Sequence, residues 1–214
     1  MSKAVLFAAG ALKTGSAWLQ EQYRAAGLVI AVDGGLAHAL AAGLTPDLLV
    51  GDLDSVSPAS LELASAVPKQ VHPSDKDLTD LELALLEARA RGAAELLLAG
   101  ALGDRADHSL ANLLLAARLR QEQQLRVCLA GAGTLAWPLA AGDRLFLPCP
   151  AGATFSLLAL STGCRVSVSG ARYPLAGADL PFGSGLGVSN ISTGETTVQT
   201  ERGLLVAMVN DDAV

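Results

Sequence analysis

The chain of 214 residues has few aromatic side chains and little positive charge. Aromatic residues make up only 4% of it, so the core must be built from Leu, Ala and Val within a hydrophobic content of 51%. Its 15 Lys and Arg against 21 Asp and Glu give a net charge of −6, which argues against a nucleic-acid partner, since that needs clustered positive charge. A nucleotide ligand is not excluded, because a bound metal ion can offset acidic groups locally.

Cysteines are also scarce, and Cys128, Cys149 and Cys164 are far apart in the sequence. They form neither a metal-ligand spacing nor a disulfide framework, which is typical of a reducing compartment, so we expect a cytoplasmic protein. No uncharged apolar run reaches the length of a membrane span, and we expect no membrane partner. The GxxxxGKS/T and GxGxxG phosphate-binding motifs are absent as well, so a nucleotide site has to be built from other residues.

Strands and helices alternate in the first part of the chain. Apolar runs predict strands at 4–9, 28–32, 47–50, 69–72, 95–102 and 126–130, and helices are predicted between them. The runs are continuous rather than alternating, as expected when both faces of a parallel sheet are covered. The alternation indicates an α/β fold with a mostly parallel sheet.

The pattern changes after Gly131-Ala132-Gly133, beyond which no long helix can be placed. Short runs rich in Val, Ser and Thr are separated by Gly and Pro, at 144–147, 154–160, 165–169, 195–200 and 204–209. Such spacing is typical of an antiparallel sandwich or barrel. We therefore predict an α/β domain over residues 1–133 and an all-β sandwich domain over residues 134–214.

Acidic residues collect where the predicted strands of the first domain end: Asp33, Asp52, Asp54, Asp75, Asp77, Asp80, Asp104 and Asp107. The carboxyl ends of parallel strands share one edge of a sheet, where ligands bind in open α/β folds. If the third strand continues through 52–54, Asp52 and Asp54 point the same way and Leu53 points back. Two adjacent carboxylates repel each other unless a divalent cation such as Mg²⁺ lies between them. The alternative is a solvated loop whose polar residues cap the next helix.

Cationic residues accompany two of these acidic stretches. Lys76 precedes a helix predicted over 77–92, in which Asp77 and Asp80 share one side of the first turn. Lys76 can meet a phosphate oxygen as a point charge, although Asp77 or Thr79 can equally be a plain helix cap.

Further along the chain, Arg105 offers a two-pronged donor for phosphate, and Asp107 caps or begins the next helix. His108 lies near the start of that helix, where it is predicted to hold the loop together. Gly34-Gly35 permits close approach of a ligand to the backbone, and a tight turn explains the pair as well.

Taken in order, these motifs resemble those of the thiamine pyrophosphokinase family. The motifs are Asp33-Gly34-Gly35, Gly51-Asp52-Leu53-Asp54-Ser55, Lys76-Asp77-x-Thr79-Asp80, Gly103-x-Arg105-x-Asp107-His108, Tyr173-Pro174-Leu175 and Gly185-Leu186-Gly187-Val188-Ser189-Asn190. Each motif is weak alone, whereas the ordered set is specific and covers most of the chain.

The resemblance implies an α/β nucleotide-binding domain, a β-sandwich domain and a homodimer. The implied activity transfers the diphosphoryl group of ATP to the hydroxyl of thiamine, giving thiamine diphosphate and AMP. By similarity, Asp52, Asp54 and Asp80 match the Mg²⁺-site acids, and Ser189 and Asn190 match the segment that meets thiamine. Positions that match the ATP site or its supports are Asp33, Gly34, Lys76, Thr79, Arg105, Asp107 and His108.

These residues give a hypothesis of a Mg²⁺-dependent diphosphokinase. Lys76 and Arg105 would stabilise phosphoryl oxygens, and Asp77 or Asp80 could accept the proton of the acceptor hydroxyl. Two alternatives stay open at this point. One is a related diphosphokinase for another hydroxymethyl acceptor, such as a pterin, and the other is a non-catalytic nucleotide-binding protein.

Overall fold

A computed structural model describes residues 2–13, 16–73, 75, 77–103 and 105–210, so Lys76 and Asp104 lie outside the described residues. The chain is a mixed α/β protein that divides into two compact units. The first comprises Met1–Asn112 with Leu129–Ala132, and the second comprises Leu113–Cys128 with Gly133–Val214.

The described residues form five helices and thirteen strands. The helices are α1 (Ala17–Arg24), α2 (Gly35–Ala41), α3 (Pro58–Leu63), α4 (Asp80–Ala90) and α5 (Ala106–Gln123). The first six strands are β1 (Ser2–Phe7), β2 (Leu28–Val32), β3 (Leu48–Gly51), β4 (Lys69–Val71), β5 (Ala93–Ala99) and β6 (Arg126–Gly131). The other seven are β7 (Thr134–Ala140), β8 (Arg144–Phe146), β9 (Thr154–Ala159), β10 (Cys164–Ala171), β11 (Leu175–Leu180), β12 (Asn190–Arg202) and β13 (Leu204–Asn210).

Parallel strands form the centre of the first unit, as the sequence predicted. The pairings β5 with β1, β1 with β2, β2 with β3 and β3 with β4 are all parallel. The four residues from Ala4 to Phe7 on β1 are fully buried, because β1 is a central strand with both faces covered. The parallel order brings the ends of β2, β3 and β4 to one edge of the sheet.

Antiparallel strands form the second unit. β12 pairs with β8, β9 and β10, β13 pairs with β7 and β9, and β10 pairs with β11. β7 and β11 were not predicted from the sequence. β7 contains Pro138, which faces Val206 on β13, and Pro usually argues against an internal strand because it lacks an N–H. β11 contains Gly177, a residue that weakens strand propensity.

Not every leucine of α5 faces the core. Leu110 and Leu114 are 57% and 52% exposed. The buried side of this helix includes Ala116, Ala117 and Leu119. Several apolar stripes run along an Ala- and Leu-rich helix, and hydrophobicity alone does not show which one is covered. Of the helices in the described part of the chain, none is both long and apolar enough to cross a membrane.

Candidate functional site

Asp33 links the ends of β2 and β3. It has a left-handed backbone with φ of 45°, and its N–H donates to the carbonyl of Val50 at 3.0 Å. Its Oδ1 accepts a hydrogen bond from the N–H of Leu53 at 3.2 Å. A Cβ on Gly51 would overlap the Asp33 carboxylate, so the glycine at the end of β3 leaves the space that this carboxylate fills.

Asp52 and Asp54 lie in the turn beyond β3, which ends at Gly51. The strand therefore does not continue through 52–54, because Leu53 has a φ of 65° and turns the chain. The two acids are linked instead by the N–H of Asp54, which donates to Asp52 Oδ1 at 3.2 Å. Leu53 does point back, as expected, and packs against the core cluster that contains Leu36.

The carboxylates of Asp33, Asp52, Asp54 and Asp80 act on one another, and we call these four residues the acidic cluster. Burial raises the pKa of Asp33, the hydrogen bond from Leu53 opposes this, and the charges of Asp80, Asp52 and Asp54 raise it further. The pKa of Asp54 is raised first by its hydrogen bond and charge interaction with Asp52, then by slight desolvation and by Asp80. Acids that follow three different strands thus share one region, as the strand-end pattern predicted.

The acidic cluster offers only oxygen donors, which suit a hard divalent cation. Over residues 2–13, 16–73, 75, 77–103 and 105–210, no three His, Cys, Asp or Glu side chains are arranged to hold a metal ion. The like charges of the neighbouring carboxylates contribute to the raised pKa of Asp33, after burial, and to that of Asp54, after its hydrogen bond with Asp52. A cation would offset this like-charge repulsion, so the all-oxygen donor set fits a divalent metal.

The start of α4 is set by a capping box between Thr79 and Glu82. Thr79 Oγ1 accepts from the N–H of Glu82 at 3.2 Å, and Glu82 Oε2 accepts from the N–H of Thr79 at 3.2 Å. The helix therefore begins at Asp80, and the prediction that Asp77 shares its first turn is wrong. The sequence contains the signal for this boundary, since Thr-x-x-Glu before an apolar run is typical of a capping box.

Arg105 forms a two-pronged ion pair with Asp107 at the start of α5. Its Nε and Nη2 donate to Asp107 Oδ1 at 3.2 Å and Oδ2 at 2.6 Å, and both side chains are exposed. The hydrogen bonds from Arg105 hold the pKa of Asp107 below its ordinary value. This guanidinium thus presents two N–H donors in a geometry that suits a carboxylate or two oxygens of a phosphate group.

The loop before α5 is held by two residues that the sequence analysis missed. Ser109 Oγ accepts from the N–H of Gly103 at 2.9 Å, and Asn112 Nδ2 donates to the carbonyl of Ala101 at 2.8 Å. His108, which was also predicted to hold this loop, is exposed. The available signal was a Ser and an Asn three residues apart, directly after a glycine-containing loop.

The Gly34-Gly35 pair serves the packing of α2. A Cβ on Gly35 would overlap the carbonyl of Phe7, so this glycine lets α2 approach β1 closely. The N–H of Gly34 donates to Ser55 Oγ at 3.2 Å. His38 Nε2 lies 2.9 Å from the carbonyl of Gly10 and must donate to it, which fixes another loop at the sheet edge.

The two residues predicted to meet the acceptor differ in their surroundings. Ser189 is exposed and has a left-handed φ of 60°, and its N–H donates to Ser156 Oγ at 3.2 Å. Asn190 is buried, and its side-chain amide binds the backbone of Tyr173. The side chain of Ser189 is therefore accessible to a ligand, whereas that of Asn190 already has partners.

Comparison with known proteins gives matches in both parts of the chain. Residues 19–129 match the family model of the thiamin pyrophosphokinase catalytic domain, and residues 146–205 match that of the thiamin pyrophosphokinase vitamin B1 binding domain. No curated protein sequence matches the chain.

Solved structures agree with these matches. The thiamine pyrophosphokinase from Bacillus subtilis has a TM-score of 0.80 and 22% identity, with 98% of this chain and 99% of that chain covered. A thiamin pyrophosphokinase family protein from Enterococcus faecalis has a TM-score of 0.77 and 25% identity, with 98% and 99% covered. The thiamin pyrophosphokinase from Candida albicans has a TM-score of 0.77 and 15% identity, with 98% and 89% covered. At such identities the structural likeness supports the fold.

Proposed function

Because the chain belongs to the thiamin pyrophosphokinase family, we propose that its acidic cluster is the site where Mg²⁺ and ATP bind for diphosphoryl transfer to thiamine. The reaction forms a bond between the thiamine hydroxyl oxygen and the β-phosphorus of ATP, and it breaks the bond from that phosphorus to the bridging oxygen of AMP. The observation that carries the site assignment is the mutual charge interaction of Asp33, Asp52, Asp54 and Asp80 at one sheet edge.

Asp52, Asp54 and Asp80 would hold the metal ion in this proposal. When bound, Mg²⁺ supplies neutralisation of the negative charge on the phosphates. Asp33 adds to the negative potential of the acidic cluster. Its hydrogen bond from Leu53 also holds the turn in which Asp52 and Asp54 flank Leu53. The role of Asp33 is thus to place the other carboxylates.

The cationic groups act on the phosphates. Arg105 would transfer its two donors from Asp107 to phosphoryl oxygens, and Lys76 is proposed as a second positive charge from its place in the sequence. Asp107 would then lose its hydrogen bonds from Arg105 and could accept others. We also propose that Thr79, His108 and the backbone at Gly34 support the nucleotide. Because Asp80 is proposed as a metal ligand, which makes it a poor base, Asp77 outside α4 is the better proton acceptor for the thiamine hydroxyl.

The acceptor side is proposed to lie in the second unit, around Ser189 and Asn190. The exposed hydroxyl of Ser189 on a left-handed residue supports this assignment. A pterin acceptor is not favoured, because residues 146–205 match a vitamin B1 binding domain. We propose a nucleotide-binding domain up to residue 133 and a β-sandwich acceptor domain from residue 134 onward, supported by the change from parallel to antiparallel pairing.

Two further parts of the proposal concern the state of the protein in the cell. A homodimer is supported by exposed apolar side chains on the second unit, namely Phe182, Leu186 and Val188. A cytoplasmic location is supported by three cysteines that are free thiols. Size-exclusion chromatography with light scattering tests the dimer, since a monomer mass at micromolar concentration would contradict it.

The activity itself is tested by measuring AMP released from ATP, with and without thiamine and with and without Mg²⁺. We expect AMP only when both are present, with one thiamine diphosphate formed for each AMP. AMP formed with a hydroxymethylpterin but not with thiamine would favour the pterin alternative. Tight ATP binding without AMP under any condition would favour a non-catalytic nucleotide-binding protein.

A further inference from the structure

The side-chain amide of Asn190 holds the backbone of a neighbouring segment. Asn190 is only 7% exposed, and its Oδ1 accepts from the N–H of Tyr173 at 3.1 Å and from the N–H of Ile191 at 2.9 Å. Its Nδ2 donates to the carbonyl of Tyr173 at 2.8 Å. One amide therefore satisfies both backbone groups of Tyr173, as a paired strand would do.

Tyr173 is fixed on its other side as well. The N–H of Arg172 donates to the carbonyl of Ile191 at 2.8 Å, so three hydrogen bonds join residues 172–173 to residues 190–191. The Arg172 guanidinium carbon lies 5.6 Å from the centre of the Tyr173 ring. The main chain of Tyr173 is thus held before any ligand arrives.

Tyr173 is nevertheless 58% exposed. A large aromatic side chain on a fixed backbone loses little conformational entropy when it binds a ligand, which makes it an effective contact for a flat ring. The backbone of Tyr173 is bonded to Asn190, the residue that directly follows the exposed Ser189 in the chain.

We propose that Asn190 is a positioning residue of the acceptor site, and that the ring of Tyr173, rather than the amide of Asn190, contacts the aromatic acceptor. The inference rests on the proposed function, in which the acceptor is thiamine, a molecule with two aromatic rings. An acceptor that bound the Asn190 amide directly would have to break its bonds to Tyr173 and leave buried polar groups unpaired. Contact through Tyr173 requires no such loss.

A double-mutant cycle separates positioning from direct contact. Tyr173→Ala should raise the KM for thiamine about tenfold, the size of one good aromatic contact, and leave the KM for ATP within about twofold. Asn190→Asp keeps the size and the acceptor oxygen of the amide but cannot donate to the Tyr173 carbonyl when ionised, and it should raise the KM for thiamine about threefold to tenfold. If Asn190 acts through Tyr173, the double variant is no worse than Tyr173→Ala alone. Effects that multiply in the double variant overturn the proposal.

A matched control is Phe146→Ala, because Phe146 on β8 is also 58% exposed and aromatic. It should leave the KM for thiamine unchanged. An equal rise in Phe146→Ala and Tyr173→Ala would show a general effect of removing surface aromatics and would overturn the proposal.

A readout without turnover checks the hydrogen bonds themselves. Amide hydrogen exchange at Tyr173 should be protected in the wild-type chain and faster by about tenfold or more in Asn190→Asp, with the exchange of β13 unchanged. If Asn190→Asp does not fold, Asn190→Ser takes its place in both measurements. Unchanged exchange at Tyr173 overturns the positioning role. If the wild-type chain forms no thiamine-dependent AMP, the proposed function is refuted, and the acceptor role of Tyr173 with it. If the wild-type chain is active but the effects of Asn190→Asp and Tyr173→Ala on the KM for thiamine multiply, only the positioning role is refuted.

Discussion

The carboxylate of Asp33 occupies the space that a side chain at Gly51 would fill. Gly51 has a φ of 143°, and Asp33 reaches across it to the N–H of Leu53. The Asp33 carboxylate therefore connects the end of β2 to the turn after β3, and it fits there because Gly51 has no side chain. This coupling sets the position of two of the proposed metal ligands.

Gly51→Ala should lower the free energy of unfolding by about 3 kcal/mol, because overpacking and backbone strain each cost roughly 1–3 kcal/mol. Urea denaturation measures the change. Gly43→Ala is the matched control, since Gly43 has a φ of 73° but a Cβ added there would meet no atom within 4 Å, so it should cost only about 1–2 kcal/mol of strain. Equal losses in the two variants would show that the Asp33 carboxylate moves aside freely.

Asp54→Asn should reduce Mg²⁺-dependent turnover about a hundredfold or more, because one proposed ligand loses its charge. The melting temperature of the ion-free protein should stay the same or rise, since repulsion with Asp52 is removed. Mg²⁺ should then stabilise the wild-type protein more than the variant. Asp179→Asn on β11, near Arg202 in an exposed pair, is the control. Near-normal turnover in Asp54→Asn contradicts the metal assignment, and a clear loss of ion-free stability favours a capping role.

Arg105→Gln should raise the pKa of Asp107 toward its ordinary value, because the hydrogen bonds from Arg105 are what lower it. A carboxyl whose folded-state pKa is lowered adds stability above its unfolded pKa, and this stability is lost as the pH falls through the folded-state pKa. The difference in stability between wild type and variant should therefore shrink as the solution is acidified below the ordinary pKa of Asp. Titration of the Asp107 carboxyl carbon by NMR measures the shift.

The same variant tests the phosphate role of Arg105. Its KM for ATP should rise about tenfold or more, while the KM for thiamine stays near the wild-type value, since a lost charged hydrogen bond is worth roughly 1.5–3 kcal/mol. Arg165→Gln in the second unit removes a comparable ion pair with Glu201 and serves as the control. An unchanged KM for ATP in Arg105→Gln would contradict the proposal.

Asp143→Ala should lower the free energy of unfolding by about 3–5 kcal/mol, because it leaves the guanidinium of Arg120 buried without its partner. Arg120 Nε donates to Asp143 Oδ2 at 2.6 Å, a second bond joins Nη2 to Oδ1, and the N–H of Ala140 donates to Oδ2 at 2.8 Å. The double variant Arg120→Met with Asp143→Ala should cost less than the sum of the single variants. Urea denaturation measures all three, with Asp179→Ala as an exposed control, and additive costs would contradict the coupling.

Thr79→Ala should cost about 1 kcal/mol, because α4 loses its N-cap. Thr79→Asp restores a capping oxygen and should recover most of this stability. If Thr79 also supports ATP, the KM for ATP stays raised in Thr79→Asp even though the helix is stable again. If both the stability and the KM for ATP return to their wild-type values in Thr79→Asp, Thr79 acts only as the helix cap. Thermal denaturation and steady-state kinetics provide the two measurements.

Much of the site could be predicted from the sequence, because the order of the strands along the chain determines which residues follow them at the sheet edge. Acids that follow parallel strands must meet at one edge, and Asp33, Asp52, Asp54 and Asp80 do act on one another. The helix boundary at Asp80 was also encoded, in the Thr79 and Glu82 capping box, although the apolar spacing favoured an earlier start. Local chemistry outweighed periodicity at this position, because a satisfied backbone N–H stabilises the helix start more than an exposed Leu78 would.

Other features depend on neighbours that are distant in the sequence. The roles of Ser109 and Asn112 follow from the path of the loop near Gly103. The place of Pro138 in β7 follows from pairing with β13. No local pattern indicates the place of Pro138, because its partner Val206 lies on another strand.

The sequence by itself determined the alternation of apolar strands and helices, the change to short β-runs after residue 133, and the ordered motifs that mark the family. These follow from local periodicity and composition, which act over a few residues. The tertiary structure alone decided that Gly51 makes room for Asp33 and that Asn190 holds Tyr173. Such relationships depend on which side chains share a space of a few ångströms, and only the packing of elements brings them there.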